Sequence, residues 1–269
     1  ITREIQGAVR KAFGIAADGS HDEDSVGIRF YREGESGAPV LADYAFQQLV
    51  GGETEKAFSV IGIGGGDVTQ RYLGRSRTID ENNVLTEDNL GPDYGAFTTS
   101  ALSFMARIAA EDLGAQLLLE ALLGAFVPEL GQGGVPVGES PLDGEILAAG
   151  FDPDSAAPAA VDRHRKLTTV ITFLVRLSGA LVAHEIGHSL GLVASGPPPY
   201  GQFGGEVNGA FNQGRTAPGH VDTPGFNLME AGPGSLDIVT IDYAQYMQDG
   251  RFNALNLAYL RGRLLLLPR

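Results

Sequence analysis

The sequence predicts an α+β fold, a twisted mixed sheet with helices above it, a central helix in the middle and a smaller irregular half after Gly191. Three observations predict it. Short apolar runs bounded by glycine fill the first hundred residues, runs with a 3.6-residue apolar period alternate with them, and no tandem repeat or polar linker divides the 269 residues. Residues 1–269 are therefore expected to form one domain, with an upper part at 1–191 and a lower part at 192–269.

Taken in order, Ile5, Ala8, Val9, Ala12 and Phe13 have the spacing of an amphipathic helix that Gly14 stops. A polar loop, 17–25, leads to 26–31, which alternates like a half-buried strand. Residues 57–63 read as a second strand running into Gly64, Gly65 and Gly66, and 95–99 as a third. The glycine run has no following GxGxxG pattern or P-loop lysine, so it reads as a turn and not a phosphate cradle. From Ser100 to Phe126, Leu102, Met105, Ile108, Leu113 and Leu117 keep a helical period until Pro128. The Gly/Pro-rich stretch 131–158 reads as a loop insertion, and Phe252, Leu255 and Tyr259 as part of a closing helix.

Composition narrows the chemistry. With 43% hydrophobic and 19% charged residues the chain can bury a core. Thirty-three acidic against 19 basic residues give a formal charge of −14, which disfavours nucleic acid and anionic membrane surfaces as partners. The acidity is compatible with calcium, but no residue cluster assigns a Ca2+ site. Cysteine is absent, so a catalytic metal has only His, Asp and Glu to bind it. Arg176 and Glu120 interrupt the longest apolar runs, so no spanning helix is expected. The chain opens at Ile1 without a basic-then-apolar leader, so a signal or pro-segment already removed and a secreted or extracellular location are the expectation.

The informative segment runs from Leu181 to Gly191 and contains His184-Glu185-Ile186-Gly187-His188, an HExxH pattern in an apolar helical context. Residues four apart on a helix differ by about 40° in rotation, so both imidazoles can grip one ion. Glu185 points to the side of that pair, where it can hydrogen-bond a water on the metal and act as general base. Among the other histidines, His21 and His164 lie in strongly hydrophilic stretches and read as solvated side chains. His220 lies in a Gly/Pro loop downstream of the helix, where the chain can return to the metal.

His184 through Gly191, followed by Asn227-Leu228-Met229, resembles the metzincin clan of zinc endopeptidases. The resemblance covers roughly 181–231 and implies a zincin-type fold and one catalytic Zn2+. It also implies that His184 and His188 ligate metal, that Glu185 handles protons, that Gly191 turns the chain under the metal, and that Met229 underlies it in a tight turn. The clan's third ligand falls three residues after the glycine, and here that position is Ala194. The expectation is that 195–218 is an insertion delaying the third ligand to His220. Glu206, which would resemble the gluzincin arrangement, and Asp222 are the other candidates. Tyr243 reads as a packed aromatic in preference to an oxyanion donor.

The implied activity is hydrolysis of a peptide or protein substrate held extended in a cleft between the two parts, without a covalent intermediate. The competing readings are a catalytically silent metal-stabilised binding module, a gluzincin-type peptidase and a hydrolase of non-peptide amides. A cleft filled by 131–158 would favour the module; an open groove beside an edge strand would favour a peptidase.

Overall fold

The computed structural model describes residues 2–14, 28, 30–38, 61–64, 74–75, 95–97, 106, 110, 113–130, 133–193, 220, 227–229 and 252–263. Helix α1 (Thr2–Ala12) buries Ile5, Val9 and Ala12 on one face, with Glu4 in its first turn and Arg10 and Lys11 in its last, matching the helix dipole. Gly14 follows at φ 73°. Gln6 Nε2 and an Arg10 guanidinium nitrogen donate to the Phe30 carbonyl at 2.8 and 2.9 Å. These bonds fasten the Phe30 segment to α1. The strand expected over 26–31 is not seen at Ile28, Phe30 or Tyr31, whose backbone is irregular; the other three positions lie outside the described residues. Side-chain donors on α1, and not a neighbouring strand, satisfy the Phe30 carbonyl.

Three short strands pair as a mixed sheet in the order β1-β3-β2: β1 (Gly62–Gly64), β2 (Gly74–Arg75) and β3 (Gly95–Phe97). β1 runs parallel to β3 with Gly62 opposite Gly95, and β2 runs antiparallel to β3 with Gly74 opposite Ala96. Among the described strands β2 therefore forms an edge. Ladder pairing runs into Gly64, the first glycine of the run expected to turn, because it depends on backbone groups alone.

Helix α2 (Leu113–Leu123) buries Ala115, Leu119 and Leu122 and gives way to a 3-10 turn at Pro128–Leu130. Within the stretch expected to be a loop insertion, residues 133–157 carry a short helix of their own, α3 (Asp143–Ile146), and are clasped to the long helix that begins at Pro158. Arg163 donates to both Asp143 carboxylate oxygens at 2.6 and 3.0 Å and to the carbonyls of Val135 and Pro136. The Gly138 and Ser140 amides also donate to Asp143. Arg163 is the main cause holding the Asp143 carboxyl down at about 2, against the effect of burial.

Helix α4 (Pro158–Ser189) spans 32 residues without a break. Pro158 opens it behind an extended Ala157, where the missing N–H is not needed. Arg176, expected to break the uncharged apolar run, lies inside it; by length and composition alone the helix could cross a membrane, as the core helix of a soluble protein also could, and half of its most apolar stretch is buried inside the protein. His164, expected to be solvated, lies half-buried with its ring 4.5 Å from that of Phe151. On the other side α4 meets α1 at Gly179, where a methyl group would come within 2.5 Å of the Ala8 Cβ. Helix α5 (Ala254–Arg263) closes the described chain. One core joins Val9, Ala12 and Phe13 of the N-terminal segment, Val182, Ala183 and Ile186 of α4, and Leu192, Leu228, Met229, Phe252 and Leu260. Phe13 sits between Phe30 and Phe252, at ring separations of 5.2 and 4.6 Å.

Candidate metal centre

The site is built on the last turns of α4 and on how that helix ends. Ser189 is its last residue, and Gly191 follows at φ 91°, a conformation that costs glycine nothing and an L side chain much more. The Leu192 amide donates to the Gly187 carbonyl at 2.9 Å and the Gly191 amide to the His188 carbonyl at 3.0 Å. This pair of bonds is a Schellman ending, which reverses the chain and turns the Leu192 carbonyl back toward the helix. His188 Nδ1 lies 2.6 Å from that carbonyl.

His184 is held in the same way by a different segment, its Nδ1 bonded to the Leu228 carbonyl. A carbonyl oxygen only accepts, so both Nδ1 atoms carry the proton and both Nε2 atoms present a lone pair. The two Nε2 atoms are 3.1 Å apart. In that tautomer neither can donate to the other, and the contact is repulsive unless a cation joins them. A proton is disfavoured: burial is the main cause bringing His184 down to about 4, with His220 adding to it and the Leu228 carbonyl opposing. Burial likewise pushes His188 well below the ordinary histidine value, with His184 and His220 adding to it.

His220, 32 residues after His188 in sequence, completes the group. Its ring stacks against His184 at 5.1 Å and meets His188 edge-on at 5.0 Å. One nitrogen from each of the three lies within 4.8 Å of the others. Three imidazoles brought this close, two of them oriented by backbone carbonyls, form a group that could hold a metal ion. Glu206, Asp222 and Tyr243, weighed from the sequence, lie outside the described residues, as does His21.

Glu185 is buried at 6% exposure on α4, beside the histidines in sequence. The edge strand β2 comes directly against it: a methyl group on Gly74 would lie 2.8 Å from the Glu185 Cγ and 2.9 Å from its Cδ. On the core side Met229, fully buried, packs beneath the helix at Gly187. A methyl group there would come within 2.6 Å of the Met229 sulfur and 3.2 Å of a Phe252 ring carbon.

Sequence reasoning did not single out Gly74, Gly187 or the carbonyls of Leu192 and Leu228. An isolated glycine inside an apolar helical run is a signal of close approach and could have found Gly187. Backbone carbonyls carry no side-chain signature, and the proximity of Gly74 to Glu185 is a matter of tertiary packing. Comparison with protein-family models, with curated proteins and with solved structures finds no match to this chain.

Proposed function

We propose that the chain is a zinc-dependent endopeptidase in which His184, His188 and His220 hold the metal and Glu185 is the general base. The observation that carries this reading is the pair of Nε2 lone pairs facing each other at 3.1 Å with both Nδ1 protons committed to carbonyls. Such a pair calls for a cation, and His220 supplies a third imidazole donor. Three neutral donors would leave the ion its full charge. When bound, zinc supplies a Lewis acid that brings the pKa of a water toward neutrality and polarises the scissile carbonyl.

The remaining steps belong to the chain. Glu185 accepts a proton from the water as it adds to the carbonyl and passes it to the departing amine. Burial of Glu185 keeps bulk water from competing for that proton. Among the described residues β2 is an edge strand, and its Gly74 lies against Glu185, an arrangement that would let an extended peptide pair beside the general base and favours it over other amides.

The test is metal content together with cleavage of an unbiased peptide library. We expect about one zinc per chain, cleavage that a chelator abolishes, and a Glu185→Ala variant that keeps its zinc while kcat/KM falls about a thousandfold. Zinc retained with no cleavage by the wild-type chain would convert the reading to a metal-stabilised binding module. Loss of zinc in Glu185→Ala would make Glu185 a ligand and end its assignment as base.

A further inference from the structure

Gly74 belongs to the sheet and Glu185 to α4, yet the two touch. Neither side can back away cheaply. β2 is held by its antiparallel ladder to β3, with Gly74 opposite Ala96 and Arg75 opposite Gly95. α4 is held at Gly179 against Ala8 and at Gly187 against Met229. The backbone of Gly74 lies outside the left-handed region, so glycine is not needed there for its conformation. What the position needs is space. A Cβ would overlap the Glu185 carboxyl group, and the softest response is rotation of that side chain away from the strand.

We infer that Gly74 is a positioning residue: its missing side chain leaves the space that the Glu185 carboxylate occupies, and with it the position from which that carboxylate serves the proposed three-histidine site. In kinetic terms the inference rests on the peptidase reading, since misplacement of a proton-handling group by about 1 Å costs on the order of a hundredfold in rate. In structural terms it stands by itself, because the added methyl group must move the carboxylate whether or not the protein is an enzyme.

The experiment combines Gly74→Ala, Gly64→Ala, Glu185→Ala and the Gly74→Ala/Glu185→Ala pair, each loaded with zinc. Gly64 lies on β1, and a methyl group there meets nothing within 4 Å, so that variant controls for adding alanine to the sheet. In Gly74→Ala we expect kcat to fall about a hundredfold, KM to change less than about twofold and zinc to stay at one per chain. Its crystal structure should show the Glu185 carboxylate displaced by about 1 Å or more. Alanine at 185 has none of the Cγ, Cδ and carboxylate atoms that the methyl would meet, so in the Glu185→Ala background, where the base is already gone, the same change should cost less than about threefold in the residual rate. The pair should also fold if Gly74→Ala alone does not.

An undisplaced carboxylate with wild-type kcat, or an equal loss in both backgrounds, would overturn the inference, as would failure of both the single and the paired variant to fold. If the wild-type chain cleaves no peptide, the peptidase reading falls, while carboxylate displacement still decides the role of Gly74.

Discussion

At the scale of single residues, the tautomers of His184 and His188 are fixed by what their far nitrogens touch. Leu228 and Leu192 offer only carbonyls, so the near nitrogens are left presenting lone pairs. In the proposed site His220 completes the donor set. We therefore expect zinc affinity to drop at least a hundredfold in His220→Ala and to change little in Glu206→Ala and Asp222→Ala, measured by competition with a chromogenic chelator. A collapse confined to Glu206→Ala would turn the assignment toward a glutamate third ligand. The spacing of His184 and His188 was readable because four residues make about one helical turn. His220 was reachable only by elimination, as the one histidine downstream. Its approach to the other two depends on a chain path that local pattern does not encode.

At the scale of elements, the end of α4 couples backbone conformation to chemistry. Gly191 at φ 91° allows the chain reversal that presents the Leu192 carbonyl to His188. Replacing Gly191 with alanine should cost about 1–2 kcal/mol in unfolding free energy for the strained backbone. It should also weaken zinc binding roughly tenfold or more by loosening that brace, whereas an ordinary surface glycine such as Gly144 should show neither effect. Glycine after an apolar run, with nothing polar to continue the helix, is a readable stop, and so were the helices at 2–12, 113–123 and 254–263 from their apolar period. The length of α4 was not readable. Its N-terminal half, with Asp162, Arg163, Arg165 and Lys166, is strongly hydrophilic and shows no apolar period, and only in the structure is Asp162 seen paired with Arg165 and Lys166, and Arg163 with Asp143.

At the scale of the whole molecule, two groups of side chains set how stability follows pH. His184 and His188 titrate below their ordinary value in the folded chain, so the unfolded chain takes up protons first as pH falls through about 6.5. Stability of the metal-free protein should therefore be complete above that pH and decline toward about 4. Asp143 titrates at about 2 instead of 3.8, so its contribution is present above 3.8 and is lost as pH falls through about 2. Urea midpoints measured from pH 8 to pH 2 should show both declines. Asp143→Asn should remove only the lower one, and a midpoint independent of pH between about 7 and 4 would contradict the protonation states assigned to the histidines. The clasp that Asp143 and Arg163 make could not be foreseen from a stretch rich in glycine and proline, because their separation of twenty residues matches no local period.

The facing lone pairs of His184 and His188 have a cost as well as a use. On the proposed reading the metal-free folded chain carries a local frustration that an unfolded chain escapes, and the site would trade stability for readiness to bind. His184→Asn keeps an amide donor in the place of Nδ1, so the Leu228 carbonyl stays satisfied while the Nε2 lone pair disappears. That variant should bind no zinc and yet, in a chelator, unfold at a higher urea concentration than the parent. With zinc in thousandfold excess over its dissociation constant the order should reverse, because the parent then gains about 4 kcal/mol that the variant cannot.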